Sequence, residues 1–360
     1  MKRFAAMGTV LYINSIVTQK PDLSRVRTFT HKLIRKSRSI FKGLQKVDGG
    51  FWVCSPFSMP VHHIGGARRI NDALLWRQIN HACRRLRFSV PIVWVACPTA
   101  CNLALRLNKR SLVYQRTDRF EDYPNVDAQM IIDCDRSLKT SADVTLFVNR
   151  ALYDQEHKQC RRAVYLDQGV DFDLFASAEQ NPTTPPDIAG IRNPIVGYFG
   201  AIDEHKFDTR LVETAAERLP GVSFVLVGSV SIDCSRLAAK KNVYMLGQKP
   251  YELIPHYGKF FDVAIWPAPK NRWTEVANPI KLKEYLSLGK PVVCSSACTE
   301  LAEYSDVLYQ ADTVQEFVES IRRAIAEDDS ERIERRKELA RKHSWDAKAR
   351  SLLEVLAQCH

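Results

Sequence analysis

The pattern of apolar and polar residues in the second half of the chain predicts strands that alternate with helices. Short runs rich in β-branched and aromatic residues are typical of buried strands, and the segments between them have an apolar side at helical spacing. The predicted strands lie at 194–200, 222–228, 242–246, 262–266 and 291–295. The predicted helices lie at 206–218, 250–258, 279–288 and 313–327. This alternation indicates parallel βαβ units and a doubly wound α/β sheet.

The first half of the chain repeats the pattern less regularly. Strand-like runs occur at 10–16, 91–97, 111–115, 143–149 and 163–167. Residues 176–194 contain four prolines and no apolar periodicity, so we expect a hinge between two domains there. The expected domains are residues 1–178, completed by a C-terminal helix at 344–358, and residues 192–343.

Composition narrows the class of protein. A chain of 360 residues with 45% apolar residues is long enough for two cores. Its ten cysteines include no C-x-x-C pair, which argues against a disulfide framework or a zinc site. No apolar run approaches the roughly 18–20 residues of a membrane-spanning helix, so we expect a cytoplasmic or peripheral protein. The net charge of +11 indicates a polyanionic partner, which nucleic acid, an anionic membrane or a phosphorylated substrate would each satisfy.

Much of the positive charge falls in one segment, residues 25–46. It carries eight lysines and arginines and no acidic residue, with apolar residues interleaved. Such a segment can lie on an anionic membrane with its apolar side inserted. An ordinary solvated basic helix explains it equally well. Because no zinc finger, helix-turn-helix or aromatic stacking pattern accompanies the segment, we do not expect nucleic acid as a partner.

The segment NPIKLKEYLSLGKPVV has the features of a phosphate site. Asn278 is a suitable N-cap, Pro279 fits the first helical position, and Gly289 provides a left-handed stop. The helix is predicted to begin at the carboxyl edge of a parallel sheet, where its free amides and dipole attract phosphate. Lys281 adds a full charge there, and Glu284 lies one turn further, spaced to accept the hydroxyls of a ribose. The alternative is a solvated helix with ordinary surface charge, and Lys283 is expected to face elsewhere.

This segment, together with GYFGAIDEHKFD, FVLVG, YMLGQKPYELIPHY and HSW, resembles the donor-binding domain of GT-B glycosyltransferases. It is similar to a bacterial exopolysaccharide group that includes the xanthan glucuronosyltransferase. The resemblance covers nearly all of the C-terminal half and implies two Rossmann-like domains that face a cleft. It implies that Lys281 meets the donor phosphates, that Glu284 holds the ribose and that the loop 247–249 lies near the base. The other donor-binding residues that it implies are Asn278, Pro279, Gly200, Ala201, Gly228, Gly247, Gln248 and Tyr285.

A sugar transfer with inversion needs a base that removes a proton from the acceptor hydroxyl. Asp118 follows the predicted strand at 111–115, and the element from Tyr114 to Asp118 resembles one whose aspartate is the implied base in the glucuronosyltransferase group. Turn capping is the alternative explanation for this carboxylate. Glu121 and Asp122 lie on the same loop and are the alternative candidates.

The loop 60–71, PVHHIGGARRIN, is rich in hydrogen-bond donors. His62, His63 and Arg68 are candidates for contacts with an acceptor, and a solvated turn is the alternative. Two adjacent histidines without a third ligand do not make a metal site. We therefore expect no metal, and no cofactor other than the nucleotide-sugar substrate.

The sequence departs from the family pattern at three places. Val276 stands where retaining members carry the first of two glutamates, which favours inversion, and Glu275 is one residue out of register. Asp167 and Gln168 replace a usual Pro-Asn pair, with no predictable consequence. The chain also starts with a segment like the interior of the family's first helix, so the first βα unit is expected to be absent.

The function expected from these features is the transfer of a sugar from a nucleotide diphosphate donor to a glycan or lipid-linked acceptor in bacterial surface or exopolysaccharide synthesis. UDP is the nucleotide that we favour. Two alternatives stay open, namely a sugar-nucleotide epimerase of the same fold and an inactive scaffold that binds a nucleotide sugar. The identity of the sugar and of the acceptor does not follow from the sequence.

Overall fold

A computed structural model describes residues 1–14, 43–57, 65–123, 125–181 and 183–358 of the chain. The chain forms two compact units. The N-terminal unit consists of Met1–Val148, Leu152–Leu166 and Leu352–His360, and the C-terminal unit of Asn149–Ala151 and Asp167–Ser351. Both contain parallel strands with intervening helices, so the predicted α/β class is confirmed.

The N-terminal unit contains two sheets. The smaller has the order β1-β3-β2 and is built from β1 (Leu11–Ile13), β2 (Leu44–Lys46) and β3 (Trp52–Cys54). The larger is parallel, with the order β4-β5-β6-β7, from β4 (Ile92–Val95), β5 (Ser111–Arg116), β6 (Val144–Phe147) and β7 (Ala163–Tyr165). The helices along this part of the chain are Lys2–Ala5, Gly65–Arg85, Cys101–Arg106, Ala128–Ser141 and Arg150–Glu156. The C-terminal helix Trp345–Ala357 contributes Leu352 and Leu356 to the core around β5 and β6.

The C-terminal unit is built on one parallel sheet of six strands with the order β10-β9-β8-β11-β12-β13. The strands are β8 (Ile195–Phe199), β9 (Ser223–Val227), β10 (Val243–Gly247), β11 (Val263–Trp266), β12 (Val292–Ser295) and β13 (Leu308–Ala311). The helices are Phe172–Ala176, Thr209–Arg218, Ser235–Ala238, Ile254–Gly258, Arg272–Glu275, Ile280–Ser287, Val314–Ala326 and Ser330–Lys342. Strands β8, β9, β10, β11 and β12, on which the site below is built, were predicted from their apolar runs.

Helices cover both faces of this sheet. All residues of β8 and β9 are buried, and successive residues enter different cores. Phe199 belongs to the core that includes Tyr285 and Leu286, whereas Val196 belongs to the one that includes Ala215 and Phe317. A strand buried on both faces needs apolar residues at every position, which is the pattern that parallel sheets show. The doubly wound sheet is therefore confirmed.

The position of the domain boundary differs from the prediction. The chain enters the C-terminal unit at Asp167 rather than near residue 178. The proline-containing segment 176–194 is packed against this unit, because Ala178 and Ile188 are 1% and 2% exposed within its core. The C-terminal helix is also divided, since only Leu352–His360 is assigned to the N-terminal unit. Prolines here mark an irregular but packed connection.

Two further expectations concern the N-terminal half. Of the basic segment 25–46, only 43–46 lies within the described residues, where it contributes strand β2. Within the part of the chain that the structure describes, no helix combines the length and the apolar character needed to cross a bilayer.

Candidate active site

The carboxyl edge of the C-terminal sheet contains the residues predicted to bind the donor. Strands β9 and β10 follow β8 on one side, while β12 and β13 follow β11 on the other, so the strand order reverses between β8 and β11. Crevices at such a reversal are where open α/β sheets bind ligands. The loops that follow β8 and β9 begin at Gly200 and Gly228, β10 ends at Gly247, and the helix Ile280–Ser287 begins at the same edge.

Two glycines bring bare backbone to the start of that helix. A Cβ atom on Gly200, whose φ is +142°, would lie 1.9 Å from Cε of Lys281. A Cβ on Gly228 would lie 1.8 Å from the carbonyl oxygen of Gly200. The Gly200 amide donates a hydrogen bond of 2.8 Å to the carbonyl of Val227. No side chain fits at either glycine, so the two loops and the lysine meet at one point.

The start of the helix differs from the prediction by one residue. Pro279, not Asn278, occupies the N-cap position, and no side chain caps the helix. The Asn278 amide oxygen instead accepts a hydrogen bond of 3.1 Å from Lys283, and its nitrogen donates one of 3.3 Å to Glu300. Lys281 is therefore the second helical residue. The Leu282 amide donates to the carbonyl of Pro279 at 3.1 Å, while no side chain caps the amides of Ile280 and Lys281, which are left for an external acceptor.

The end of the helix agrees with the prediction. Gly289 has a φ of +71°, and its amide donates to the carbonyl of Leu286. The amide of Lys290 donates to the carbonyl of Tyr285 at 3.0 Å. These two bonds form a Schellman motif, which ends the helix before β12.

Lys281 is placed as an anion-binding cation. Its Nζ lies 5.8 Å from the ring centroid of Tyr198, and none of the described residues accepts a hydrogen bond from it. Burial lowers the pKa of this ammonium, Glu284 opposes that effect, and Lys206 on the loop after β8 adds to it. Lys206 is a second cation near the site. It lies within the motif GYFGAIDEHKFD but was not among the predicted site residues.

Glu284 is a buried carboxylate beside that cation. It is 6% exposed, and burial raises its pKa, although Tyr251 and Lys281 act in the opposite direction. The Tyr251 hydroxyl donates a hydrogen bond of 2.9 Å to Oε1 of Glu284. The sequence does not reveal Tyr251 as the partner of Glu284, because 33 residues separate the two side chains and no local spacing relates them.

The neighbours of Glu284 in sequence point away from the site. Tyr285 is completely buried, and its hydroxyl accepts a hydrogen bond of 3.0 Å from the amide of Phe199. The expected contact between Tyr285 and the donor is therefore wrong for this structure, because the side chain fills the core beneath the end of β8. Lys283 faces elsewhere as expected, with its Nζ 2.6 Å from Oδ2 of Asp167.

The loop after β10 presents Gly247 and Gln248 at the same edge. Gly247 has a φ of +70°, and its carbonyl accepts a hydrogen bond of 2.9 Å from Gly228. Both Gly247 and Gln248 are exposed. Lys249 turns back to Asp187, with 2.6 Å between its Nζ and Oδ2. Ala201, which follows Gly200, is also exposed, and its carbonyl accepts a hydrogen bond from Tyr198.

The retaining-type carboxylate is replaced by an apolar side chain. Val276 is 4% exposed and cannot accept a hydrogen bond through its side chain. Glu275 ends the short helix Arg272–Glu275 and is exposed to solvent. The side chain of Asn271 caps this helix.

In the N-terminal unit, Asp118 lies two residues beyond the end of β5, at the carboxyl edge of its sheet. Its Oδ1 accepts a hydrogen bond of 2.9 Å from the Arg119 amide, and its Oδ2 accepts one from the Tyr123 hydroxyl. The side chain is partly exposed. An oriented, accessible carboxylate at the carboxyl edge of a parallel sheet is suited to act as a base.

Glu121 does not share these properties. It forms two hydrogen bonds, of 3.0 and 2.7 Å, with the guanidinium of the buried Arg116. Burial acts to raise the pKa of Glu121, but the bonds with Arg116 hold it below its usual value. Glu121 is thus a structural ion-pair partner and not an alternative base. Asp122 is partly exposed on the same turn and stays an alternative.

The acceptor-side candidates fall largely outside the described residues. His62 and His63 are among the residues that the structure does not describe. The backbone of Arg68 belongs to the helix Gly65–Arg85, so residues 65–71 are helical and not part of the predicted loop. The roles of these three residues stay predictions.

Comparison with known proteins supports the identity of the C-terminal unit. Residues 193–327 match the model of a family described as "Glycosyl transferases group 1". This range includes the glycines, Lys281 and Glu284 of the candidate site. The chain is also 24% identical over 196 residues to TuaH of Bacillus subtilis (strain 168), a protein named as a teichuronic acid biosynthesis glycosyltransferase. That match covers 52% of this chain and 49% of TuaH, so it spans about half of each protein.

Solved structures resemble the chain over nearly its whole length. HepE of Anabaena in complex with UDP is 16% identical, with a TM-score of 0.64, and the likeness covers 98% of this chain and 100% of HepE. An E. coli trehalose-6-phosphate protein bound with UDP-2-fluoro glucose is 14% identical, with a TM-score of 0.67 and coverage of 98% and 99%. These likenesses establish the fold. The expected resemblance to GT-B glycosyltransferases is confirmed for the fold, and the match to the group 1 glycosyltransferase family covers residues 193–327.

Proposed function

We propose that this chain, a GT-B protein with a group 1 glycosyltransferase domain, transfers a sugar from a UDP-sugar to a glycan or lipid-linked acceptor in bacterial surface or exopolysaccharide synthesis. The observation that carries the proposal is Lys281. A partly buried lysine at a helix start without a side-chain cap, with no acceptor for its Nζ among the described residues, is suited to a diphosphate. UDP in the HepE structure and UDP-2-fluoro glucose in the E. coli structure support UDP as the nucleotide.

In the proposed donor complex, each group of the site has one task. Lys281, Lys206 and the first-turn amides hold the diphosphate, and the bare backbone of Gly200 permits its close approach. Glu284 accepts hydrogen bonds from the ribose hydroxyls, while Gly247 and Gln248 lie beside the nucleotide base. No metal and no cofactor other than the donor enters this proposal.

The proposed reaction is a direct displacement with inversion. Asp118 removes the proton of the acceptor hydroxyl, and the acceptor oxygen forms a bond to the anomeric carbon as the bond from that carbon to the diphosphate oxygen breaks. UDP leaves with the bonding electron pair, and Lys281 with the helix amides stabilises its developing charge. The buried apolar Val276, in place of a carboxylate, supports inversion over retention.

The acceptor and the location form a further part of the proposal. The basic segment 25–46 would hold the protein at an anionic membrane surface on the cytoplasmic side, where a lipid-linked sugar is available. The acceptor contacts would come from His62, His63 and Arg68. The excess of basic residues in the chain supports this arrangement.

The direct test is turnover with a panel of UDP-, GDP- and TDP-sugars, with and without a lipid-linked acceptor. A transferase releases UDP only with the acceptor, and the product anomer, determined by NMR, reports inversion. Interconversion of free nucleotide sugars would instead indicate an epimerase, and UDP binding without turnover would indicate a scaffold. Because a general base acts on the reaction and not on nucleotide binding, Asp118→Asn should abolish turnover and change UDP affinity by less than about threefold. An equally large loss of UDP affinity in this variant would reject Asp118 as the base.

A further inference from the structure

The hydrogen bond between Tyr251 and Glu284 joins the segment after β10 to the donor helix Ile280–Ser287. Tyr251 follows the loop that contains Gly247 and Gln248, and Glu284 lies on the helix that carries Lys281. The hydroxyl donates to Oε1 at 2.9 Å. The tyrosine ring packs edge-on against the buried Phe175, with 5.9 Å between the centroids and 65° between the planes. Tyr251 is 45% exposed, and its ring contact with Phe175 does not depend on the hydroxyl.

The hydrogen bond from Tyr251 affects the protonation of the buried Glu284. Burial raises the pKa of the carboxyl group, so desolvation favours the protonated form, while the bond from Tyr251 favours the ionised form. A carboxylate is a pure acceptor and can accept from two hydroxyls at once, whereas a carboxylic acid must donate through one oxygen. Burial also raises the pKa of Tyr251, and Glu284 raises it further, so the phenol stays a donor over the whole working range of pH.

We infer that Tyr251 is a positioning residue that keeps Glu284 ionised and oriented, and that this pair makes the site selective for ribonucleotides over 2′-deoxyribonucleotides. The inference rests on the proposed function, because it assumes that Glu284 faces the ribose. Tyr251 occupies one lone pair of Oε1 and leaves Oε2 and the other lone pair for the two ribose hydroxyls. A 2′-deoxyribose leaves a buried acceptor unsatisfied, which is where selectivity against it arises.

The test compares dissociation constants of UDP and 2′-deoxy-UDP by calorimetry in the wild type and in Tyr251→Phe. The phenylalanine keeps the ring contact with Phe175 and removes only the hydroxyl. We expect the wild type to prefer UDP by about tenfold or more, the worth of a hydrogen bond to a charged group. In Tyr251→Phe the preference should narrow to about threefold or less. Loss of the bond raises the pKa of Glu284 further. As pH is lowered, the remaining preference for UDP should therefore disappear at a higher pH in the variant than in the wild type.

Two further variants separate positioning from general structural support. Tyr309 also contacts a carboxylate, Glu327, but lies on the edge strand β13. Tyr309→Phe should leave the preference for UDP unchanged. Glu284→Gln should remove the preference, and adding Tyr251→Phe to it should then have no further effect on the ratio.

The outcomes distinguish this inference from the proposed function. A Tyr251→Phe variant that binds both nucleotides more weakly, with the ratio unchanged, would show that Tyr251 only supports the fold and would overturn the inference. The inference would also be overturned if the wild type bound UDP but did not prefer it to 2′-deoxy-UDP. Failure of the wild type to bind UDP at all would instead reject the proposed function.

Discussion

Lys281 and Lys283 are two positions apart on one helix, yet they are in different electrostatic situations. Lys283 is 1% exposed and pairs with Asp167 at 2.6 Å, so its charge is compensated inside the protein. Lys281 has Glu284 nearby, but its Nζ has no hydrogen-bond acceptor among the described residues. A desolvated cation without a close partner is costly unless a ligand compensates it. This difference assigns ligand binding to Lys281 and structural support to Lys283.

The pH dependence of UDP binding tests the assignment of Lys281. Burial lowers the pKa of its ammonium below the usual lysine value, so the charge is lost at a lower pH than for an exposed lysine. Affinity for UDP should therefore fall as pH rises, and the fall should begin at a lower pH than an exposed lysine would give. Lys281→Met should bind UDP about 10- to 100-fold more weakly than the wild type with its ammonium protonated, the worth of a charged hydrogen bond, and lose that fall.

Calorimetric titrations at a series of pH values up to about pH 10, just below the usual lysine pKa, would measure both effects. Lys240→Met serves as the control, because Lys240 pairs with Glu217 and lies outside the proposed site. It should leave affinity and pH profile unchanged. A Lys281→Met variant with UDP affinity within about twofold of the wild type would contradict the assignment.

At the scale of elements, the site depends on how closely β8 approaches the helix Ile280–Ser287. Gly200, the first residue after β8, has a φ of +142°, which residues with a side chain rarely adopt, and a Cβ there would overlap Cε of Lys281. Gly200→Ala should displace Lys281 and the loop, and UDP affinity should fall by at least about tenfold through loss of that charged contact.

A matched variant is available at Gly221, which precedes β9 and has open space around the position of a Cβ. Gly221→Ala should keep UDP affinity. Circular dichroism of both variants would separate loss of the site from loss of the fold. If Gly200→Ala folded and bound UDP as the wild type does, the close approach of β8 would not be needed for the donor.

The elements themselves were largely predictable because apolar runs and helix signals are local. Strands β8, β9, β11 and β12 were visible as runs of Val, Ile and aromatic residues. Strand β13, with the sequence LYQA, is too short and polar to be recognised from such a run. The helix Ser330–Lys342, SERIERRKELARK, was also missed, because it lacks a clear apolar side.

The candidate site was predictable only in part. The lysine and glutamate of the donor helix were found because their spacing on one helix is local. Tyr251 was missed as the partner of Glu284, and Asp167 as the partner of Lys283, because those contacts join residues 33 and 116 positions apart. The proline-rich connection was misread because local composition does not report that Ala178 and Ile188 are buried. Long-range packing decides these features.

At the scale of the whole molecule, Asp167 explains a departure from the family pattern. It is the first residue of the main segment of the C-terminal unit and is 5% exposed. Its carboxylate meets Lys283 of the donor helix, His343 at 2.9 Å, and Lys348 of the C-terminal helix. The residue that replaces the family's proline thus joins the beginning, the middle and the end of this unit through one buried carboxylate.

This arrangement makes the stability of the C-terminal unit sensitive to Asp167. Asp167→Asn leaves two ammonium groups without their counter-charge, which should cost about 3–5 kcal/mol, whereas breaking the exposed pair of Asp306 and Arg335 by Asp306→Asn should cost less than about 1 kcal/mol. Burial acts to raise the pKa of Asp167, but His343 and the two lysines hold it below its usual value. The contribution is therefore present at neutral pH and lost only as pH falls below the usual aspartate range.

Thermal unfolding followed by calorimetry would measure these costs, and about 3–5 kcal/mol corresponds to a fall in Tm of roughly 6–20 °C for a unit of this size. Adding Lys283→Met to Asp167→Asn should recover part of the loss, because the second change removes the uncompensated buried charge and leaves an apolar side chain in its place. The combined variant should then be more stable than the sum of the two single changes predicts. Strict additivity, or an Asp167→Asn variant as stable as Asp306→Asn, would mean that this buried carboxylate does not hold the unit together.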